Sequence, residues 1–393
     1  MSGIGLGVAI VGSGMIGAVH ARAARLAGAR LIGVAASEPS RSEQAAARLG
    51  AGRGYDSAEQ AIADPAVDVV HICTPNATHL EFALAALKAG KGVICEKPLA
   101  TTAADARLLV QTARESGRVA TVPFVYRFHP MVREARARIH AAELGPLQLI
   151  HGSYLQDWLL DSNDTNWRVD AAKGGASRAF ADIGSHWCDL IEWVSGERLV
   201  SVIAALNTTV PERPGGNRQS YASAAQGEAA APVPVTTEDV AGALFKTHSG
   251  VLVNLTVSQV SAGRKNRLWF EIDGAQASVV FDQEEPERLW LARTRSTELL
   301  VRDPNTGSAE QRRLATLPPG HAQGYAQCFE AFVADTYAAV RGETRDGLPT
   351  FDDGLRSANI IEAVLKSSAT QRWTAIEPEP RAEARPRSSD RTA

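Results

Sequence analysis

The chain has 393 residues, 45% apolar and 22% charged, with a formal net charge of −3. That length exceeds one ordinary core and predicts two globular domains, and the charge balance gives no electrostatic case for nucleic acid or an anionic membrane. The four cysteines, Cys73, Cys95, Cys188 and Cys328, lie far apart with no CxxC spacing. This argues against a disulfide framework or a zinc ribbon and fits a reducing cytoplasm, with neither a signal peptide nor a membrane-spanning run expected.

The first element is "GLGVAIVGSGMIGAVHARAARLAG". Gly7 to Val11 read as a β-branched strand, and Ile16 to Ala27 as an alanine-rich helix closed by Gly28. Between them Gly12, Gly14 and Gly17 form G-x-G-x-x-G in a strand–turn–helix context. Such glycines permit a tight turn and a close backbone approach to a pyrophosphate, which the helix start at Met15 and Ile16 then faces. Strand and helix go on alternating through "ARLIGVAAS", "PSRSEQAAARLG", "VDVVHICTP", "NATHLEFALAALKAG" and "GVICE". A helix from Ala103 to Ser116, capped by Thr102, and the strand "RVATVPFVY" complete the series. Repeated βα units imply a parallel sheet covered on both faces, a Rossmann-type domain spanning 1–126.

After a helix in "HPMVREARARIHAAELG" the texture changes. Strand-like runs follow one another in "LQLIHGSYLQDW", "LVSVIAALNTTV", "DVAGALFKT", "GVLVNLTVSQ", "RLWFEIDG", "ASVVFD" and "ERLWLAR". They predict an α+β domain over 127–375 with a large, mostly antiparallel open sheet. A Pro/Gly/Ala-rich excursion at 211–239 interrupts it, readable as a surface loop or as a loop over the active site. Helices near 323–341 and 352–368 close the fold, and 376–393 reads as a disordered tail.

Two stretches stand at the ends of apolar strands, where ligands bind in such sheets: "CTPNATH" with Thr74, Pro75, Asn76 and His79, and "CEKP" with Glu96 and Lys97. Two opposite charges at the rim of a core are costly unless they are paired or put to use, and Pro98 after them suits a cis bond. In "GGASRAFADIGSHWCDLIEW" Asp182 and His186 are four apart and share one helix face, with Asp189 a turn further on. Ile183, Trp187, Leu190, Ile191 and Val194 form a separate apolar stripe. That polar face could be solvated, cap a neighbour or line a cleft. A metal site is not expected, for lack of other ligands.

G-x-G-x-x-G, then E-K-P, then D-x-x-x-H, in that order, resemble the glucose-fructose oxidoreductase, inositol dehydrogenase and MocA family over nearly the whole chain. The resemblance implies catalytic roles for Lys97, Asp182 and His186 beside the nicotinamide. A base would take the hydroxyl proton while hydride leaves for the cofactor, Asp182 would orient the charged partner, and Glu96 would offset Lys97 and touch ribose or substrate. At the adenosine end, Glu38 suits ribose hydroxyls, whereas Ser37 with Arg41 suits a 2′-phosphate. NAD is the favoured cofactor and NADP the alternative.

Tyr126, Gln156, Trp158, Trp167 and Arg168 offer aromatic faces and polar donors suited to a pyranose, although the tryptophans also read as ordinary core. Their setting in "YLQDW…W-R", with the "PERP" excursion, is similar to the levoglucosan dehydrogenase branch, which oxidises pyranoses at C3. His321 and Tyr325 are lesser candidates for the same pocket, and His20, His71, His140 and His248 read as structural. Three functions follow: an NAD-dependent sugar dehydrogenase, a redox-neutral glycosidase using transient C3 oxidation, or a non-catalytic sugar sensor. Arg127, Arg168 or Lys173 would matter if the substrate were anionic. A homodimer or homotetramer through the uncovered sheet face is the expected assembly.

Overall fold

A computed structural model describes residues 5–215 and 231–378. Six strands, β1 (Gly7–Val11), β2 (Arg30–Ala35), β3 (Gly54–Tyr55), β4 (Val69–Ile72), β5 (Gly92–Cys95) and β6 (Ala120–Thr121), pair in the order 3-2-1-4-5-6. Every pair is parallel. The crossovers are α1 (Met15–Leu26), α2 (Pro39–Leu49), α3 (Ala58–Ala63), α4 (His79–Lys88) and α5 (Ala103–Ser116). Because helices cover both faces, β1, β4 and β5 are buried along their whole length and carry unbroken apolar runs apart from His71. The strand order reverses between β1 and β4, which sets a crevice at their C-terminal ends.

After α6 (Pro130–His140) the chain builds a second sheet from β7 (Leu147–Leu155) onward. The short helix α7 (Ala171–Gly174), a π-helical turn (Phe180–Gly184) and α8 (Ser185–Ser195) precede β8 (Leu199–Asn207). A two-stranded hairpin, β9 (Glu212–Pro214) and β10 (Pro232–Pro234), forms the described base of the excursion, whose remainder lies outside the described residues. Then come β11 (Val240–Thr247), β12 (Leu252–Ser258), β13 (Arg267–Gly274), β14 (Ser278–Asp282), β15 (Arg288–Arg293) and β16 (Ser296–Val301). Helices α9 (Ala309–Leu314), α10 (Tyr325–Val340) and α11 (Phe351–Thr370) and the strand β17 (Thr374–Ala375) end the fold.

The nine strands run 16-15-14-13-7-12-11-8-17 and are antiparallel except for the β7–β12 pair. Here burial alternates, as in β11 and β13, because only one face packs on the core. Trp187, Leu190, Ile191 and Val194 of α8 lie in that core, as their helical stripe requires. Ile376 stays buried and donates its N–H to the Val200 carbonyl, so the chain follows the sheet to that point, and the tail from 379 lies outside the described residues. The short elements β3, α3, β16 and α9 lack a long periodic pattern and were not expected from sequence.

The last third of the chain also returns to the first sheet. Phe329, Phe332, Val333 and Tyr337 of α10 share a core with Val8, Ile10, Ala21 and Ala24. Phe351 and Leu355 of α11 pack with Leu99, Val122 and Phe124.

Candidate active site

Backbone geometry builds one wall of the crevice. Gly12 has φ +104, and a Cβ there would meet the Cys73 carbonyl and the Thr74 nitrogen at under 3 Å. A Cβ on Gly17 would lie 2.1 Å from the Gly12 oxygen, so only glycine lets α1 sit this close to β1. A Cβ on Gly14 would meet nothing within 4 Å. The loop is thus tight inside and open outside. Helix α1 begins there with no side-chain cap and no acidic residue in its first turn, among exposed Gly14 and Met15. Those features fit a dinucleotide pyrophosphate.

At the adenosine end, Ser37, Glu38 and Arg41 are exposed at the start of α2, and Arg41 Nη1 reaches Ser37 Oγ at 3.5 Å. Thr74, Pro75 and Asn76 are half-buried, and Asn76 Nδ2 donates to the Gly174 carbonyl, tying the turn to α7. His79 turns inward: its ring nitrogens lie against the Pro98 and Thr74 carbonyls, where it braces both turns. The Lys97–Pro98 bond is cis.

Lys97 is the centre of the site. Its Nζ lies 2.6 Å from Asp182 Oδ1 and 2.8 Å from the Asp182 carbonyl. Gln259 Nε2 donates to Asp182 Oδ2 at 2.8 Å, and Arg168 Nε stands 3.4 Å from Oδ1. Burial alone would raise the Asp182 carboxyl, but Lys97, Arg168 and His186 hold it well below the ordinary carboxylate range. His186 is buried among the rings of Tyr126, Phe124 and Tyr154, and its Nδ1 has no partner among the described residues. Burial, and then the charge of Lys97, push its imidazole well below 6.5, so it is neutral near pH 7. The Tyr126 hydroxyl, bonded to Tyr154, is pushed up to about 12, mainly by burial.

The opposite wall rests on buried charges that sequence reading did not single out. Arg178 bonds Asp239 at 2.5 Å, Thr237 Oγ1 at 3.1 Å and Gln259 Oε1 at 3.2 Å. A guanidinium only donates, so it fixes the Gln259 amide with Nε2 toward Asp182. Glu238 accepts from the N–H groups of Arg178 and Phe180, which seats the π-helical turn carrying Asp182. At Gly184 a Cβ would strike the Phe180 ring at 2.8 Å, so that turn needs its glycine.

Arg213, on the excursion, donates to the carbonyls of Leu159, Asp161 and Asp164. It thereby holds the loop that carries Trp158, Trp167 and Arg168. Trp158 donates to Gln156, whose own amide reaches Asn266, and the Arg168 guanidinium lies 4.4 Å over the Trp167 ring.

Charged side chains singled out from sequence take partners of their own. Asp189 grips Arg127, which also bonds Asp353 at 2.7 Å, so Arg127 is occupied and buried. Lys173 is exposed and pairs with Asp170. Glu96 bonds His20 and the Lys97 main chain, and its carboxylate forms no ion pair with the Lys97 ammonium among the described residues. Tyr325 packs against Tyr126, while His321 is exposed. The trio His151, Glu271 and Asp273 has the ligand spacing of a cation site, but it lies on the second sheet and shares no residue with the Lys97 cluster.

Comparison with known proteins reaches the same class. Residues 6–124 match the family model described as an oxidoreductase family with an NAD-binding Rossmann fold, and residues 132–280 match the GFO/IDH/MocA C-terminal domain. The chain belongs to the GFO/IDH/MocA family of NAD-binding oxidoreductases. It is 30% identical to a levoglucosan dehydrogenase of Pseudarthrobacter phenanthrenivorans, over 94% of this chain and 98% of that one. Among solved structures, an oxidoreductase domain protein from Kribbella flavida superimposes with a TM-score of 0.86 at 31% identity, covering 96% of this chain and 100% of that one. A levoglucosan dehydrogenase in complex with NADH and L-sorbose gives 0.86 at 28%, with the same coverage.

Proposed function

We propose that the protein is an NAD-dependent dehydrogenase of a sugar, anhydrosugar or glycoside. It would remove hydride from a carbon bearing a secondary hydroxyl, with C3 of a pyranose favoured by the levoglucosan dehydrogenase likeness. The observation that carries the reading is Lys97 Nζ held on Asp182, with neutral His186 beside them, at the C-terminal end of β5. NAD+ seated on Gly12, Gly14, Met15, Ile16 and Gly17 supplies the hydride acceptor.

The protein's own work is on the proton. Asp182 holds the Lys97 ammonium in place, and the ammonium donates to the reacting hydroxyl oxygen and stabilises the negative charge that develops there. His186 is in its acceptor form and takes the proton from that oxygen. Tyr126, Gln156, Trp158, Trp167 and Arg168 hold the sugar, with Trp158 or Trp167 as the stacking face.

The deciding experiment gives purified protein excess NAD+ and, in turn, levoglucosan, inositols, and aryl or sulfonated glycosides. Reduced cofactor should accumulate in proportion to substrate consumed. Release of aglycone without NADH would make the protein a redox-neutral glycosidase, and neither turnover nor binding with any of them would make it a sensor.

At the adenosine end Glu38 should favour NAD over NADP by about tenfold, or ~1.4 kcal/mol. Equal affinities would give control to Ser37 and Arg41. A second copy is the proposed partner, lying on the sheet face where Leu252, Leu299 and Val301 are exposed. Light scattering should then return a dimer or tetramer, and a monomer at micromolar concentration would refute it.

A further inference from the structure

Behind Glu96 runs a line of buried polar groups that the hydride-transfer chemistry does not use. Glu96 Oε1 lies 3.0 Å from His20 Nε2 on α1, and Glu96 Oε2 accepts the Lys97 main-chain N–H at 3.1 Å. His20 Nδ1 lies 3.0 Å from His71 Nδ1 on β4, and His71 Nε2 lies 2.7 Å from the Tyr337 hydroxyl on α10. His20 and His71 are fully buried and Tyr337 is 1% exposed, so these groups have only one another to satisfy them.

The carboxylate sets the direction of the first bond. A carboxylate only accepts, so His20 Nε2 carries a proton. In the tautomer where that is the only His20 ring proton, His20 Nδ1 accepts from His71 Nδ1–H, and His71 Nε2 accepts from the Tyr337 hydroxyl. All donors therefore point toward Glu96. Burial favours the neutral His71 ring. Burial alone would raise the Glu96 carboxyl, yet the His20 bond and the Lys97 charge outweigh it and keep the group below its ordinary value. A satisfied chain of this kind holds a buried anion at one fixed place.

We propose that His20, His71 and Tyr337 form a positioning relay that holds Glu96 ionised at the nicotinamide end of the crevice. The protein thereby binds the oxidised cofactor, whose ring is cationic, more tightly relative to the reduced one than the glycine cradle alone would. The proposal rests on the reading above that the nicotinamide lies where β4 and β5 end. The relay itself touches neither cofactor nor substrate, and it acts through Glu96.

The test is direct titration of the full-length protein with NAD+ and with NADH, so that no substrate is needed. Glu96→Gln should raise the ratio of the NAD+ to the NADH dissociation constant by about tenfold, the size of an ordinary coupling between charges. His20→Phe is placed beside Phe329, whose ring centroid lies 5.1 Å from that of His20, and should raise the ratio by about fivefold. Tyr337→Phe, nearly isosteric, should raise it by about twofold and keeps the test open if the His20 variant fails to fold.

If Glu96→Gln leaves the ratio unchanged, the nicotinamide does not face Glu96, and the placement and the relay fall together. If Glu96→Gln shifts the ratio while folded His20→Phe and Tyr337→Phe do not, the placement stands and the relay is refuted. Equal weakening of both cofactors in the relay variants would make the chain a structural plug and overturn the proposal.

Discussion

The two walls of the crevice are built by different physics. On the dinucleotide side, position is set by main chain: Gly12 and Gly17 allow approaches that any Cβ would block, and apolar strands supply the support. On the Asp182 side, position is set by side-chain charge: Arg178, Asp239, Arg213 and Gln259 hold Asp182 and the loop that carries Arg168. A stereochemical wall is local in sequence and rigid by default. A wall of buried charges is specific only while every partner is present, because each group left alone carries its full desolvation cost.

Lys97 stands where the two walls meet, so its loss should have the largest effect. Lys97→Met keeps length and apolar bulk but removes the amine, and turnover should fall by about two to four orders of magnitude with far less change in NAD affinity. A folded variant within a few-fold of wild type would show that the Lys97–Asp182 pair is only structural.

Arg178→Met should be the most damaging change on the charged side. It strands Asp239 without its 2.5 Å partner and frees the Gln259 amide, and stability should drop by about 3–5 kcal/mol in urea titration. A loss under 1 kcal/mol would mean that Arg213 and the surrounding N–H donors suffice for Asp239.

On the stereochemical side, Gly17→Ala forces a methyl to within 2.1 Å of the Gly12 oxygen. The expected cost is about 1–3 kcal/mol of stability, with NAD affinity lost and the Lys97–Asp182 geometry kept. Unchanged NAD binding would contradict the cradle.

Acid should produce the smallest effect at first. His129 is pushed down to about 4 by burial, and His71 and His186 also lie well below 6.5. Between pH 6.5 and 4 the unfolded chain therefore binds protons that the folded chain refuses. Stability should be complete above pH 6.5 and decline as pH falls, with the urea midpoint dropping steadily from pH 7 to 5. A flat midpoint over that range would mean that these rings are charged in the fold.

Sequence carried the stereochemical wall almost whole, because G-x-G-x-x-G between strand and helix encodes its own geometry within six residues. Lys97, Asp182 and His186 were also legible, since each belongs to a short motif. Gln259, Arg178 and Arg213 were not: they meet Asp182 or its supports only after residues up to 81 positions apart are folded together. Nothing in their local periodicity sets them apart from surface polar residues. The partner of Asp189 was hidden for the same reason, since a helical face predicts neighbours along the helix but not the Arg127 that reaches in from another element. His20 and His71 looked like core histidines, and they are buried, but only the fold shows that they align on Glu96.

The return of α10 to the first sheet bears on how the protein is made. The six parallel strands are complete at Thr121, yet Phe329, Phe332 and Tyr337 complete the core on that side. A ribosome therefore releases these strands about 200 residues before α10, and in the interval the core on that side has α1 and α2 but lacks the α10 side chains that complete it. The dinucleotide half therefore gains the last part of its core only after the strands of the second sheet have been synthesised.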